Sequence, residues 1–125
     1  MVHSRHFTRE EANAIRVWVA ERVERLREAR DELAASDIAA SLTAATAVSG
    51  GSFAGMAHAR AAVIYALTLE ELEEANVVVR DLERGLVDFP TLVDGEEGYL
   101  CWLVDEPEVG HWHGLGAGYT GRRPL

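Results

Sequence analysis

Only one cysteine, Cys101, occurs in the 125 residues. No disulfide can therefore form within the chain, and cysteine usage points to no oxidising compartment. Lysine is absent as well: the 12 basic side chains are all arginines, set against 21 acidic ones for a net charge of −9. A surface with that excess repels phosphate backbones and anionic lipid alike, so neither nucleic acid nor a membrane surface is an expected partner. Long apolar runs are missing too. The longest, Ala61 to Leu67, is far too short to span a bilayer. The opening MVHSRHFTREE holds no apolar stretch of the kind a signal peptide needs, and a cytoplasmic chain is expected. What is there is a 48% hydrophobic chain, ordinary for a globular fold. Its length suits a single domain over 1–125 with a real core.

The first element announces itself. Thr8 and Glu11 form a T-x-x-E capping box, with Phe7 placed to act as a hydrophobic staple before it. Behind the cap, Ala12, Ile15, Val19, Val23, Leu26 and Leu33 make one apolar stripe at helical spacing. The arginines between them alternate with acids, as in Arg27 and Asp31, which reads as a solvated helix face and not as an RNA-binding stripe. Residues 34–48 either extend this helix or form a short second one, and Ser49-Gly50-Gly51-Ser52 breaks the chain. A further helix is expected from about Ser52 to Ala75. Phe53, Met56, Ala57, Arg60, Ile64, Leu67 and Leu72 are available for its stripe, and Asn76 for a left-handed cap. Thr68 and Glu71 repeat the T-x-x-E pattern, so a kink near Leu67 is an alternative. The two helices read as an antiparallel hairpin over about 8–75.

After Asn76 the period changes. Val77–Val79, Leu86–Phe89 and Tyr99–Val104 read as three strands of an antiparallel meander over about 77–104, with Asp94-Gly95 as a two-residue hairpin turn. That turn sets Asp88 opposite Cys101 and Val87 opposite Trp102. In the third strand both faces are apolar: Tyr99, Cys101 and Leu103 on one, Leu100, Trp102 and Val104 on the other. Helices cover only one of them, so the other needs the C-terminal tail or a second subunit, and a homodimer is expected. The fold expected is α+β: the N-terminal helical hairpin packed on this small three-stranded meander, with an ordered Gly-rich tail over 105–125.

The tail, with HWHGLGAGYTGRRPL from His111 to Leu125, concentrates the candidate chemistry. Gly116 to Gly121 matches G-x-G-x-x-G in form, but a dinucleotide loop must enter a helix, and only four residues follow. Glycine amides with Arg122 could still hold an anion; the plainer reading is that the glycines let the tail lie against the sheet. His111 and His113 fall on one side of an extended segment, and Glu106 or Glu108 could add a carboxylate to a divalent metal site. Asp88 sits among apolar neighbours, either functional or tied down by Arg80, Arg122 or backbone amides. Beside that aspartate, Cys101 reads as a buried inert thiol.

The blocks RDLERGLVDFP (80–90), YLCW (99–102), EPE (106–108) and WHGLGAGYTGRRPL (112–125), with FTREEAN (7–13) in front, occur in that order. Together they resemble an uncharacterised bacterial family, domain of unknown function 2203, across nearly the full chain. The resemblance implies small cytoplasmic proteins and brings no activity, cofactor or catalytic assignment. Asp81, Asp88, Cys101, Trp102, Glu106, Trp112, His113, Gly118, Gly121 and Arg122 fall on the family's pattern, whereas His111 does not. Two functions follow as expectations. One is a non-enzymatic assembly or interaction module, homodimeric, anchored by Trp102, Trp112 and Phe89. The other is a small metal- or anion-dependent enzyme or ligand-binding protein with a pocket under the tail. There Asp88, Glu106 and His113 are the catalytic candidates, and Arg122, Trp112, Gly118 and Gly121 would hold a ligand.

Overall fold

A computed structural model describes residues 1–45 and 53–125. Helix α1 runs over Arg9–Ala45 and α2 over Phe53–Glu74. Five strands follow: β1 (Val78–Asp81), β2 (Leu86–Val93), β3 (Glu96–Leu103), β4 (His111–Gly114) and β5 (Arg123–Pro124). They form one antiparallel sheet in the order β1-β2-β3-β4-β5. The architecture is thus α+β, but with five strands and not three. The tail supplies the other two, because its backbone continues the ladder beyond β3 in place of lying over it. The expected break at Ser49–Ser52 lies outside the described residues.

The chain divides into two compact units, one comprising Met1–Val23 with Leu72–Leu125 and the other Glu24–Glu71. In the first, the sheet unit, the capping box forms as its sequence dictates. The Glu11 amide donates to Thr8 Oγ1 at 3.1 Å, and the Thr8 amide donates back to the Glu11 carboxylate at 2.9 Å. Phe7, just ahead, is buried edge-on against Phe89, and its backbone bonds Pro90 and Thr91 of β2. Asn13 exchanges hydrogen bonds with the backbone of Val109, and Arg16 donates to Pro107 O. Ala12, Val19 and Val23 of α1 share the buried interior with Val87, Phe89, Leu100, Trp102 and Val109. Phe89 and Trp102 are only 0% and 2% exposed, so neither can anchor a partner: they fill the unit's own core.

Local chemistry explains the sheet's joints. Asn76 adopts φ 61° after α2, the left-handed cap its side chain tolerates. Asp94 and Gly95, at φ 52° and 82°, make the hairpin turn whose twist matches the strands. The register it sets pairs Asp88 with Cys101 and Val87 with Trp102, as counted from sequence. β2 and β3 run further than their apolar cores suggest, and Pro90 lies within β2. The tight turn aligns both strands from Val93 and Glu96 outward, so the ladder extends past the apolar residues.

In the second, the hairpin unit, α1 continues without a break through 34–45, so those residues extend the first helix. The α1 segment and α2 run antiparallel: Arg25 meets Glu71 at 3.6 Å, while Ser36 and Asp37 meet His58 at 3.2 Å. Leu26 and Ala29 of α1 and Ala61 and Thr68 of α2 are buried. The stripe expected for α2 needs correction. Met56 and Leu67 are 68% and 57% exposed, and the buried residues of this part of α2 are Ala61 and Thr68; Leu72, expected on the stripe, is buried and belongs to the sheet unit. Small residues occupy the close approach of the helices, which leaves the larger ones facing out. α2 is a single unbroken helix through Leu67.

Candidate functional site

The face of the sheet opposite Phe89 and Trp102 carries the polar chemistry. Alternation along the strands sets Asp88, Cys101 and His111 in one cross-strand row, with Pro90, Tyr99 and His113 in the next. His113 reaches diagonally across β3, placing Nε2 3.1 Å from each Asp88 carboxylate oxygen. Its other nitrogen, Nδ1, lies 2.7 Å from Gly114 O. Gly98 makes the approach of β4 possible, since a Cβ there would sit 2.8 Å from the carbonyl oxygen of His113.

Arg80 completes the carboxylate's surroundings. The β1–β2 register slips between Val79 and Asp81, so Arg80 is the extra residue of a bulge. That re-aimed side chain donates from Nε to Asp88 Oδ2 at 2.9 Å, and its guanidinium lies over the Tyr99 ring. Burial opposes the Arg80 charge, but the bond to Asp88 and the carboxylate's charge outweigh it and hold the guanidinium above its ordinary value. Tyr99 is bonded in turn by His3, Nε2 to Oη at 2.6 Å. The N-terminal segment is tied to β3 as well, since Glu97 accepts from the Val2 and His3 amides. Asp88, Cys101 and His113 are all buried.

A second cluster ties down the tail. Glu106 Oε1 accepts the Leu103 amide at 2.8 Å, closing the turn after β3. Both terminal nitrogens of Arg122 then grip the same carboxylate, at 2.9 and 2.7 Å. Such a bidentate pair is among the strongest polar contacts available. The Arg122 bond holds Glu106 below the usual carboxylate range, and Glu106 raises Arg122 in return. Arg122 also reaches Cys101, which links the two clusters. Burial, aided by the Asp88 charge, pushes the Cys101 thiol up to about 11 despite that arginine. At neutral pH this is a protonated thiol and no nucleophile.

The residues expected to converge are thus joined, but by saturating one another. Asp88 holds His113 and Arg80, while Glu106 holds Arg122. His111 Nδ1 stops 3.8 Å from Glu106 Oε2, too far for a hydrogen bond. Among the described residues, the three metal-ligating groups with ligand atoms within 4.8 Å of one another are Asp88, Cys101 and His113. His111 and Glu106 stand outside that cluster. The remaining ligand candidates lie elsewhere. Trp112 and Gly121 line a surface cavity of about 650 Å³ with Arg123, Asp94, Glu96 and Glu97, an acid-rich wall ill suited to an anion. Gly118 takes φ 63° ahead of the short helical turn Tyr119–Gly121, and a Cβ on Gly121 would strike that of Ala117 at 2.8 Å. These glycines shape the tail.

Arg80 was expected as one possible tie for Asp88, and it is that tie; its place in a bulge and the nearness of Cys101 to His113 had no sequence signal. The Asp88–Cys101 pairing was countable from the hairpin turn. The β3–β4 register was not, because residues 104–110 form no fixed-length turn. No helix among the described residues is long and apolar enough to cross a membrane. No match was found among curated proteins, and none among solved structures. The model of the family described as "Uncharacterized conserved protein (DUF2203)" matches residues 5–125, and with the blocks from FTREEAN to GRRPL placed on this fold, the chain belongs to that family.

Proposed function

We propose that the chain is a non-enzymatic assembly module that pairs with a second copy of itself through α2. One observation carries this reading. Met56, Val63 and Leu67 are 68%, 56% and 57% exposed, and with exposed Arg60 and Glu70 they fall on a single face of the helix. At 3.6 residues per turn these five positions span an arc of only about 80°. Exposed Ala59, Ala62 and Ala66 flank the stripe, and such small side chains let two helices approach closely. Val63 and Leu67 adjoin on this face, with Arg60 and Glu70 beyond them at either end and Met56 past Arg60, a mixed surface that a second helix can cover.

The stripe is complementary to itself. In an antiparallel pair of α2 helices crossing at Tyr65, Val63 faces Leu67 of the partner subunit and Arg60 faces Glu70 of the partner subunit. Two-fold symmetry repeats both contacts, which is the hallmark of an isologous interface. The net charge of −9 keeps nucleic acid and anionic membranes outside the set of partners.

The enzyme or ligand-binding reading has less behind it. Its four polar residues, Asp88, Glu106, His113 and Arg122, spend their hydrogen bonds on one another and on the strands. Among the described residues, none of the four lines any of four surface cavities of about 310 to 650 Å³.

Sedimentation equilibrium at micromolar concentration tests the proposal. The native chain should sediment as a dimer, Arg60→Glu as a monomer, and Arg60→Glu combined with Glu70→Arg as a dimer again. A monomeric native chain, or a dimer indifferent to the single reversal, would overturn it.

A further inference from the structure

We propose that Asp88, Cys101 and His113 form a three-ligand site for a divalent cation of the zinc class. This is independent of the pairing through α2. Their ligand atoms lie within 4.8 Å of one another, and all three residues are buried. Hydrogen bonding at the imidazole is the main argument. Nδ1 faces Gly114 O at 2.7 Å, an acceptor with no proton to give, so the ring's hydrogen belongs on Nδ1. Nε2 is then the lone-pair nitrogen, yet it points at two carboxylate oxygens 3.1 Å away. Acceptors facing each other in a buried place require a positive charge between them, either a proton or a metal ion.

Three features favour the metal. A backbone carbonyl that fixes the far ring nitrogen is the usual outer support of a metal-bound histidine. The third group is a thiol, which a metal would bind as thiolate. Tetrahedral zinc, with bonds near 2.0 to 2.3 Å, separates its ligand atoms by about 3.2 to 3.8 Å, so the 3.1 Å spacing of His113 and Asp88 is already close to one edge. The mixture of imidazole, thiolate and carboxylate selects zinc and its neighbours over magnesium or calcium, which prefer oxygen alone.

The charges also close. Binding releases two protons to solvent, the one held between His113 Nε2 and Asp88 and the one on Cys101, and leaves a neutral imidazole, a thiolate and a carboxylate, whose two negative charges match the dication. Arg80 holds Asp88 Oδ2 from outside, and the charge of Arg122 is already met by Glu106. Three protein ligands leave one position for water.

Cobalt(II) is the probe that tests this. The native protein, purified without an affinity tag, stripped with chelator and titrated with cobalt, should bind it stoichiometrically. It should then show a thiolate-to-metal charge-transfer band with the visible bands of a tetrahedral ion. Cys101→Ser should lose the charge-transfer band, His113→Ala should bind at least tenfold more weakly, and His111→Ala should keep both band and affinity. Circular dichroism checks that each variant is folded; if Cys101→Ser is not, the native titration and His111→Ala still decide. Absence of the band in native protein, its survival in folded Cys101→Ser or its loss in His111→Ala overturns the site. So does a long-range nitrogen NMR spectrum of chelator-free native protein, unchanged by cobalt or zinc, with both His113 nitrogens protonated.

Discussion

The two units of this chain handle mismatched groups in opposite ways. In the sheet unit, polar side chains lie inside: Asp88 and His113 are 2% and 3% exposed and held by each other, by Arg80 and by Gly114 O. In the hairpin unit, apolar side chains lie outside: Met56, Val63 and Leu67 face water on one stripe of α2. A buried carboxylate is tolerable only with partners, so the sheet unit must hold its geometry closely. An exposed methyl group costs little until something covers it, so the outward stripe carries few demands on the fold. A substitution should therefore be expensive for folding on the sheet and cheap on the stripe, where the proposed pairing would put its effect on association.

The largest effect should come from the core behind the polar face. Phe89→Ala removes a ring packed between Phe7 and Trp102 and should cost about 3–5 kcal/mol of unfolding free energy in a urea titration. A loss below about 1 kcal/mol would mean that the sheet unit is as tolerant as the stripe, and the contrast would fail. Asp88→Ala comes next. It strands His113 in a buried place and frees Arg80, and should cost about 3 kcal/mol by the same titration. A neutral outcome there would show that the polar cluster is held by something other than its own pairing.

How far the sequence foretold this division depended on whether the responsible signal was local. The Thr8–Glu11 box, the cap at Asn76 and the turn at Asp94-Gly95 each depend on a few adjacent residues, and all three formed as read. The turn even delivered the Asp88–Cys101 pairing, because a two-residue loop leaves the register no freedom. β4 and β5 were missed because His111–Gly114 and Arg123-Pro124 are short and lack a strand's apolar pattern. They are strands only because β3 offers β4 an edge and β4 in turn offers one to β5. The α2 stripe was misread for a similar reason. Periodicity finds apolar positions, but which face goes inward depends on the partner helix, and here α1 selected Ala61 and Thr68 over Met56 and Leu67. At the candidate site, His113 and Asp88 were legible as residues of interest. Their contact was not, since it required the β3–β4 register and the bulge at Arg80.

A smaller effect, and one that pH resolves, belongs to the clamp on the tail. Glu106 is held below its ordinary value chiefly by Arg122. A carboxylate whose folded pKa is depressed stabilises above the unfolded value near 4.5 and loses that contribution as pH falls through the folded value. Native protein should therefore lose stability on acidification below about pH 4.5, and Glu106→Gln should flatten part of that slope. At neutral pH the variant should cost about 1.5 kcal/mol, the weight of a charge-assisted bond. Equal slopes for the two proteins would place the acid sensitivity elsewhere, with Glu97, also depressed by its bonds from the His3 and Val2 amides despite the opposing effect of burial, the next residue to test.

The smallest effect on folding should appear on the stripe itself. Val63→Ser replaces an exposed side chain, so in dilute solution, where the chain is monomeric, its unfolding free energy should stay within about 0.5 kcal/mol of native. The difference should emerge with concentration. A dimer stabilises the folded state by mass action, so the native melting temperature should climb as protein is added, while that of Val63→Ser stays level. Should both climb together, α2 is not the association surface. Should neither climb, the stripe is merely exposed, and the contrast between the units would reduce to a difference in polarity without a consequence for assembly.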